Sequence, residues 1–422
     1  MITVVVLLLM LLALLGVPLF VSLGAGSLLA VWQDNLDPAV LVVEMMRLAS
    51  SPNLMAIPLF TLTGVVLSGG GAAQRQIRLF NALFGWMPAG LAVVSVASCA
   101  FFTAFSGASG VTILALGGLL YTMLKREGYG ERFSLGLVTS SGSIGLLFPP
   151  SLVVLLYGIV AGVSIEQLFM AGIVPGILLL VLLSLYCMIK GASFNIKRQV
   201  FSWAEVGSAL RAGIWDVFMP IGIIGGMLGG YITVTEAATL AAAYALLLEL
   251  VIHRTIHPFT QLPRLLKECA ILVGSIIIIL SVAMGLTNLL IDIQLPMKVL
   301  AMMEHTVTDK LHFLLLLNVF LLAVGFVMDI FSAIVVVVPL ILPLAHRFGV
   351  DPVHLGIVFL ANLEIGYLHP PIGLNLFLAS QRFGEPIMKL FRAVLPFLGI
   401  MLIWLMVLTY VPEMSLWWRK PA

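Results

Sequence analysis

Charge is what this sequence has least of. Of its 422 residues only 9% are Asp, Glu, Lys or Arg, while 61% are apolar; soluble domains carry roughly 25% and 45–50%. A soluble globule of this length could not cover its surface with so few charges, which excludes a soluble enzyme and a disordered chain. An excess of one sign is missing too. The 21 basic and 19 acidic residues leave a net charge of +2, too balanced to select nucleic acid as a partner. Cysteine is nearly absent: Cys99, Cys187 and Cys269 stand apart, with no Cys-x-x-Cys spacing, and read as small buried apolar residues. No basic residue precedes the first apolar run. That run continues to Trp32 without a small-residue cleavage pattern, so it does not read as a signal peptide.

What the chain has instead is long apolar runs, such as Ile2–Leu15 and Ile173–Leu185. They do not alternate with period two, which argues against a barrel. A bilayer core of about 30 Å takes roughly 20 helical residues per crossing, so the expected fold is an all-α polytopic membrane protein. Three stretches between runs are basic: Arg75–Arg78, Lys190–Arg198 and His253–Lys267. The positive-inside rule puts them on the cytoplasmic side. Gln74–Trp86 and Trp203–Trp215 mix charge with aromatics and read as amphipathic helices at the interface. Asp216 and Asp292, at segment ends, read as solvated. Thr233-Val234-Thr235-Glu236 has capping-box spacing and reads as a helix start.

Two apolar stretches have the wrong length. Residues 88–125 are too long for one crossing and are interrupted by Ser106-Gly107-Ala108-Ser109-Gly110. The arm Val111–Lys125 would be only about 22 Å long at 1.5 Å per residue. A re-entrant hairpin fits better than two spans. Residues 311–346 behave alike, with Asp329 and Ser332 at the middle. Each hairpin precedes a segment broken at a double proline, Pro149-Pro150 within 133–163 and Pro370-Pro371 within 353–382. Displaced by 221 residues, Ile144, Gly145, Leu147, Pro149 and Pro150 fall on Ile365, Gly366, Leu368, Pro370 and Pro371, and Gly128 falls on Gly349. Basic residues flank the first hairpin (Arg75, Arg78, Lys125, Arg126), and the second is flanked by a less basic surface. The expectation is an inverted repeat, with halves 1–200 and 201–422.

Chemistry follows from the breaks. Proline lacks an N–H and clashes with the carbonyl four residues back, which predicts free carbonyls at Gly145, Leu146, Gly366 and Tyr367. Free backbone must be buried in protein or line a wet cavity. Carbonyls and hydroxyls together suit a hard cation such as Na⁺, and the downstream half-helix starts at a positive dipole end that suits an anion. Paired interrupted segments point to a transporter's midplane site. The first tip offers Ser106, Ser109 and Thr112. The ionisable residues in apolar segments are Asp329, Glu364 and His369; Glu364, falling on Ser143, reads equally as cation ligand or structural hydrogen-bonding group, and His369 equally as ligand or core histidine. No Lys or Arg lies between Arg78 and Lys125 or between Arg132 and Lys190, so a carboxylate substrate needs bound cations to balance it. Gly107-Ala108-Ser109-Gly110 also matches the Gly-x-Ser-Gly of intramembrane serine proteases, which would require His354 or His369 as base.

In order along the chain stand Ile57-Pro58-Leu59-Phe60, Gly85-Trp86-Met87-Pro88, Phe105–Thr112, Leu147-Phe148-Pro149-Pro150-Ser151, Ala171–Gly176, Thr235-Glu236-Ala237-Ala238 and Pro370-Pro371-Ile372-Gly373. Together they resemble the large membrane subunit of tripartite ATP-independent periplasmic (TRAP) transporters, the C4-dicarboxylate DctM type, over nearly the whole chain. The resemblance implies a Na⁺-driven elevator-type importer of small organic acids, dicarboxylate or sialic-acid-like, in a bacterial inner membrane, with Na⁺ as coupling ion and no cofactor. It implies two partners, a small four-helix membrane subunit (DctQ type) and a periplasmic solute-binding protein (DctP type). The chain opens on the large subunit's own first segment, so the small subunit is expected as a separate chain. Carried over by motif, the cation ligands fall at Ser106, Gly107, Ser109, Gly142, Ser143, Gly145 and Pro149. A second set falls at Asp329, Ser332, Gly366, His369 and Pro370. The substrate contacts fall at Ser106, Ser109, Thr112, Pro150, Ser151, Glu364, Pro371 and Asn375. Many members have Thr where His369 stands, which puts the second cation site in question. An autonomous ion-coupled carboxylate carrier of the same superfamily remains the alternative.

Overall fold

The structure is a computed structural model and describes residues 17, 19–33, 37–50, 52–194, 196, 199–292, 309–370 and 373–419. Pro371 lies outside the described residues. Every regular element among them is helical. In chain order these are α1 (Leu19–Gln33), α2 (Ala39–Ala49), α3 (Ala56–Gly69), α4 (Ala72–Phe84) and α5 (Gly90–Ser106). Next come α6 (Ser109–Thr112), a wider π turn (Ile113–Gly117), α7 (Gly118–Arg126), α8 (Glu131–Ser141), a 3-10 turn (Ile144–Leu147), α9 (Leu152–Ala161) and α10 (Ile165–Gly191). The second half has α11 (Trp203–Leu228), α12 (Val234–Leu247), α13 (Gln261–Asp292), α14 (Lys310–Val327), α15 (Ile330–Arg347), α16 (Pro352–Gly366), α17 (Leu374–Phe383) and α18 (Ile387–Tyr410). Among the described residues six helices are long and apolar enough to cross a bilayer, or eight if each of two bent pairs is one span.

Local chemistry sets many of the boundaries. Ser164, Ser202, Thr233, Asp309, Asp329 and Asp351 each accept a backbone N–H at a helix N-terminus, the role for which short polar side chains are preferred. Thr233 and Glu236 form the reciprocal capping box that their spacing predicts. Asp351 is followed by Pro352 in the first turn of α16, where a missing N–H costs nothing.

The two hairpin stretches each fold as two helical arms. The first turns at Gly107, whose φ of +68° is left-handed backbone that favours glycine. Its second arm, residues 109–126, is interrupted by the π turn; the arm displaced by 221 residues is α15, residues 330–347. Individual hydrogen bonds recur at the same displacement. Gly107 N donates to Thr103 O and Met328 N to Val324 O, both at 2.9 Å. Phe148 N donates to Gly145 O at 3.1 Å, and His369 N to Gly366 O at 3.0 Å. Gly128 and Gly349 both have positive φ. Packing is reciprocal as well: α9 lies on α15, while α17 lies on α6 and the π turn; α18 lies on α8, while α10 lies on α16.

The broken helices press against the hairpins through glycine. A Cβ on Gly145 would sit 2.7 Å from Ala104 N, and one on Gly366 would sit 2.6 Å from Gly325 Cα. Neither neighbour is a flexible side-chain end. Gly145→Ala and Gly366→Ala should therefore each destabilise the protein by about 1–3 kcal/mol through overpacking. Thermal melting in detergent checks this, with Gly399→Ala as the control, since a Cβ there meets nothing within 4 Å.

Three details differ from the sequence-based expectations. The prolines do not free all four carbonyls. Gly145 and Gly366 accept the i+3 bonds just given, and Tyr367 O accepts Asn375 N at 3.2 Å. The chain tightens to a 3-10 turn ahead of each break, so a nearby N–H reaches the carbonyl that proline cannot serve. Trp203–Trp215 is not a separate surface helix but the start of α11, which runs on through Pro220 to Leu228. Asp216, within it, is not solvated. It is 8% exposed and paired with Arg75, because the 74° bend between α3 and α4 brings Arg75 against α11.

That elbow is charged. Arg75 donates to Asp216 Oδ2 and Oδ1, both at 2.7 Å, and to Glu249 Oε1 at 2.6 Å. Glu249 is fully buried and also accepts Gly71 N at 3.2 Å and the Thr255 hydroxyl. One arginine on α4 thus ties that helix to α11 and to the π turn Leu248–Ile252 that follows α12, and Gly71 N ties the glycine turn to the same Glu249.

Candidate functional site

The first tip is knitted together by hydroxyls. Thr103 Oγ1 donates to Gly142 O at 2.7 Å, so in its 2.6 Å contact with Thr112 Oγ1 Thr112 must be the donor. Ser106 Oγ lies 3.4 Å from both Ala108 O and Thr112 Oγ1, at the long limit of hydrogen bonding. Ser109 Oγ donates to Asn375 Oδ1 at 2.8 Å, across 266 positions of sequence. Asn375 Nδ2 is left buried without a partner. The tip of one hairpin is therefore joined to its own broken helix through Gly142, and to the half-helix α17 of the other half through Asn375. Space is tight between them: a Cβ on Gly142 would lie 2.7 Å from Ile113 Cγ1 and 3.4 Å from Ser109 O.

Ser143 and Glu364, which stand 221 positions apart, meet. The Ser143 hydroxyl is the polar group that the Glu364 carboxylate faces, yet neither carboxylate oxygen has a hydrogen-bond partner and the residue is 0% exposed. Ser143 Oγ is turned toward Ser140 O, 3.4 Å away. Under a two-fold relation, equivalent residues contact one another at the axis. Along the first broken helix Thr139, Ser141 and Ser151 also bury unpartnered hydroxyls. Buried polar atoms without partners are uncommon in native proteins and ask for an occupant.

The second tip is organised differently. Asp329 caps α15, accepting Phe331 N at 3.0 Å and Ser332 N at 3.1 Å on Oδ1 and the Ser332 hydroxyl on Oδ2. Tyr367 Oη accepts Ile330 N at 2.5 Å, which pins this tip to the end of α16. His369 sits apart from Asp329's bonds. Its Nδ1 lies 3.2 Å from Ile365 O, and since a carbonyl only accepts, Nδ1 carries the proton. The ring lies 6.4 Å from that of Phe391, beside α18. The structure thus gathers Ser106, Ser109, Thr112, Gly142 and Asn375 into one bonded cluster, and Asp329 with Ser332 into another. Thr103 fastens the first cluster and the Tyr367 hydroxyl the second; Thr103 carries no signal in the sequence, and Tyr367 is marked there only for its carbonyl.

The protease arrangement is not formed. Ser109's hydroxyl is given to Asn375. His354 faces Ser415 Oγ at 2.7 Å and Thr409 O at 3.3 Å, and His369 faces Ile365 O, so neither imidazole contacts the serine.

Residues 5–414 match the family described as tripartite ATP-independent periplasmic transporter, DctM component. The chain is similar to the C4-dicarboxylate TRAP transporter large permease protein DctM of Vibrio cholerae, at 34% identity over 95% of this chain and 94% of that one. It is 35% identical to the isethionate TRAP transporter permease protein DctMQ of Oleidesulfovibrio alaskensis, over 95% of this chain and 64% of that one. Among solved structures, the Alcanivorax borkumensis YdaH transporter shares the fold, with a TM-score of 0.62, 15% identity, and 90% and 88% of the two chains covered.

Proposed function

The chain belongs to the DctM family of tripartite ATP-independent periplasmic transporters, a polytopic membrane permease and not an enzyme, and we propose that it imports a small organic acid together with Na⁺ across a bacterial inner membrane. The observation that carries the cation coupling is Glu364: a fully buried carboxylate with neither oxygen bonded. An unpaired buried charge is costly enough that it is paired or neutralised, and a bound cation supplies the pairing. No arginine or lysine approaches the first tip within its own hairpin, so the substrate's negative charge is balanced by bound Na⁺ and by half-helix N-termini. The cation ligands are the oxygens of the first tip with Gly142, Ser143 and Gly145, extended by Glu364. The second tip, built on Asp329, Ser332 and Gly366, is the other cation position. His369 contributes its backbone there and not its ring.

The recurring bonds and reciprocal packing support an inverted duplication of residues 1–200 and 201–422. In that arrangement the hairpins and broken helices move as one transport body against a scaffold that includes α4, α11 and α12. The substrate class follows the relatives, which are named for C4-dicarboxylates, isethionate, ectoine and 2,3-diketo-L-gulonate; each of these molecules carries a carboxylate or sulfonate. A small membrane subunit and a periplasmic binding protein complete the system. Reconstituting the permease with both partners and then omitting each in turn tests this. Uptake should require both; full-rate uptake by the permease alone would instead identify an autonomous carrier.

A further inference from the structure

Helix α11 keeps one face outward, and that face is not uniformly apolar. At its start Trp86, Phe201 and Trp203 meet edge to face, with ring centres 6.3 and 5.0 Å apart, and all three are exposed. An exposed aromatic cluster of this kind marks the membrane–water interface, and the basic stretches Arg75–Arg78 and Lys190–Arg198 put it on the cytoplasmic side. Just beyond it lies an open hollow lined by Ala204, Gly207, Ser208 and Arg211. The hollow exists because the side chains there are small: a Cβ on Gly207 would meet nothing within 4 Å. Two arginines converge on it. Arg78, on α4, donates to Ser208 Oγ at 2.9 Å, and Arg211 stands three residues past Ser208 on the same helix face. Both are exposed. Arg75 is taken up by Asp216 and Glu249, but among the described residues neither Arg78 nor Arg211 has a carboxylate partner. Glu205, the one acidic residue of 203–215, lies about 120° around the helix from Arg211. Deeper on the same face stand Trp215 and Phe218, four and seven residues past Arg211, exposed and with ring centres 6.4 Å apart. At Gly222, one turn further, a Cβ again meets nothing within 4 Å.

We propose that this hollow binds an anionic phospholipid of the cytoplasmic leaflet, its phosphodiester oxygens held by Arg78 and Arg211 and one acyl chain laid along Trp215 and Phe218. Unbalanced cations within a membrane segment call for a partner, and basic pockets between helices at the cytoplasmic surface suit anionic head groups. The order of groups along α11, paired cations near the interface and an apolar stripe below them, matches the two parts of a lipid. Ser208 Oγ accepts from Arg78, which leaves its own proton for a phosphate oxygen. Because one arginine comes from α4 and the other from α11, the phosphate bridges the two helices. It holds the elbow together from the membrane side, as Arg75 does from within. The inference is independent of the substrate and of Na⁺.

The test follows the melting temperature of the permease, alone and with its small subunit, delipidated in a neutral detergent and titrated with phosphatidylglycerol, phosphatidylcholine or inorganic phosphate. Phosphatidylglycerol should raise the melting temperature in both preparations; phosphatidylcholine and phosphate should not. Arg78→Gln and Arg211→Gln should each raise the half-saturating concentration of phosphatidylglycerol by about tenfold, the loss expected for a hydrogen bond to a charged group. Gly207→Trp fills the hollow without touching a charge and should abolish the effect. It replaces glycine by a better helix former, and all three positions are exposed, so without added lipid the variants should melt with the wild type. Equal half-saturation in wild type and all three variants overturns the inference. So does stabilisation by phosphate alone, which would make this a site for free anions. An effect that vanishes once the small subunit is bound also overturns it, since the subunit would then be the occupant.

Discussion

Glu364→Gln should weaken cation activation of uptake by about 100-fold or more. The substitution keeps size and shape and removes one negative charge from a position with no exposure and no hydrogen-bond partner. Removing one partner of a buried ionic pair costs about 3–5 kcal/mol, and each 1.4 kcal/mol is about tenfold in affinity. The measurement is the Na⁺ concentration that half-activates uptake. If Glu364 were only a structural hydrogen-bonding group facing Ser143, glutamine would serve nearly as well, and the activation curve would shift by no more than about threefold. Ser143→Ala is the companion variant. It removes a neutral ligand and should produce a smaller shift in the same direction.

Arg75→Met should lower stability by about 3–5 kcal/mol, more than either glycine substitution at the broken helices, because it strands two carboxylates, the fully buried Glu249 and the nearly buried Asp216. His253 Nε2, 4.0 Å from Asp216, is too distant to replace a bidentate arginine. The loss should be read as a fall in melting temperature and in the yield of folded protein. Neutralising the stranded partners as well, in Arg75→Met with Asp216→Asn and Glu249→Gln, should recover much of it, since a buried ion pair replaced as a unit is often nearly neutral. No recovery would mean that the arginine stabilises the Gly69-Gly70-Gly71 elbow through packing and not through charge.

The parts of the molecule set by local chemistry are legible in the chain. The helix start at Thr233, the glycine turn at Gly107 and the double-proline breaks are each decided within a few residues, and the 221-residue displacement visible in the letters reappears in the hydrogen bonds; the caps made by Asp329 and Asp351 are not among the expectations, Asp329 reading as a cation ligand. Juxtapositions are not legible. Ser109 and Asn375 stand 266 positions apart, and Arg75 and Asp216 stand 141 apart; composition near Asp216 reads as a solvated segment end because its neutralising partner arrives from another helix. The carbonyls ahead of the prolines depart from expectation for a physical reason. Proline rules out the i+4 bond, but a 3-10 turn supplies an i+3 donor one residue ahead of it, so Gly145 and Gly366 keep a backbone partner while each carbonyl oxygen retains a second lone pair for a cation.

Coupling of acid import to Na⁺ stands or falls on uptake driven by an imposed Na⁺ gradient. Proteoliposomes holding the permease and its small subunit, supplied with loaded binding protein, should accumulate labelled acid when Na⁺ is outside and K⁺ inside. Accumulation should disappear when Na⁺ is equal on both sides or replaced by choline. Accumulation at the same rate and extent without Na⁺ would rule out the coupling, and with it the role assigned to Glu364.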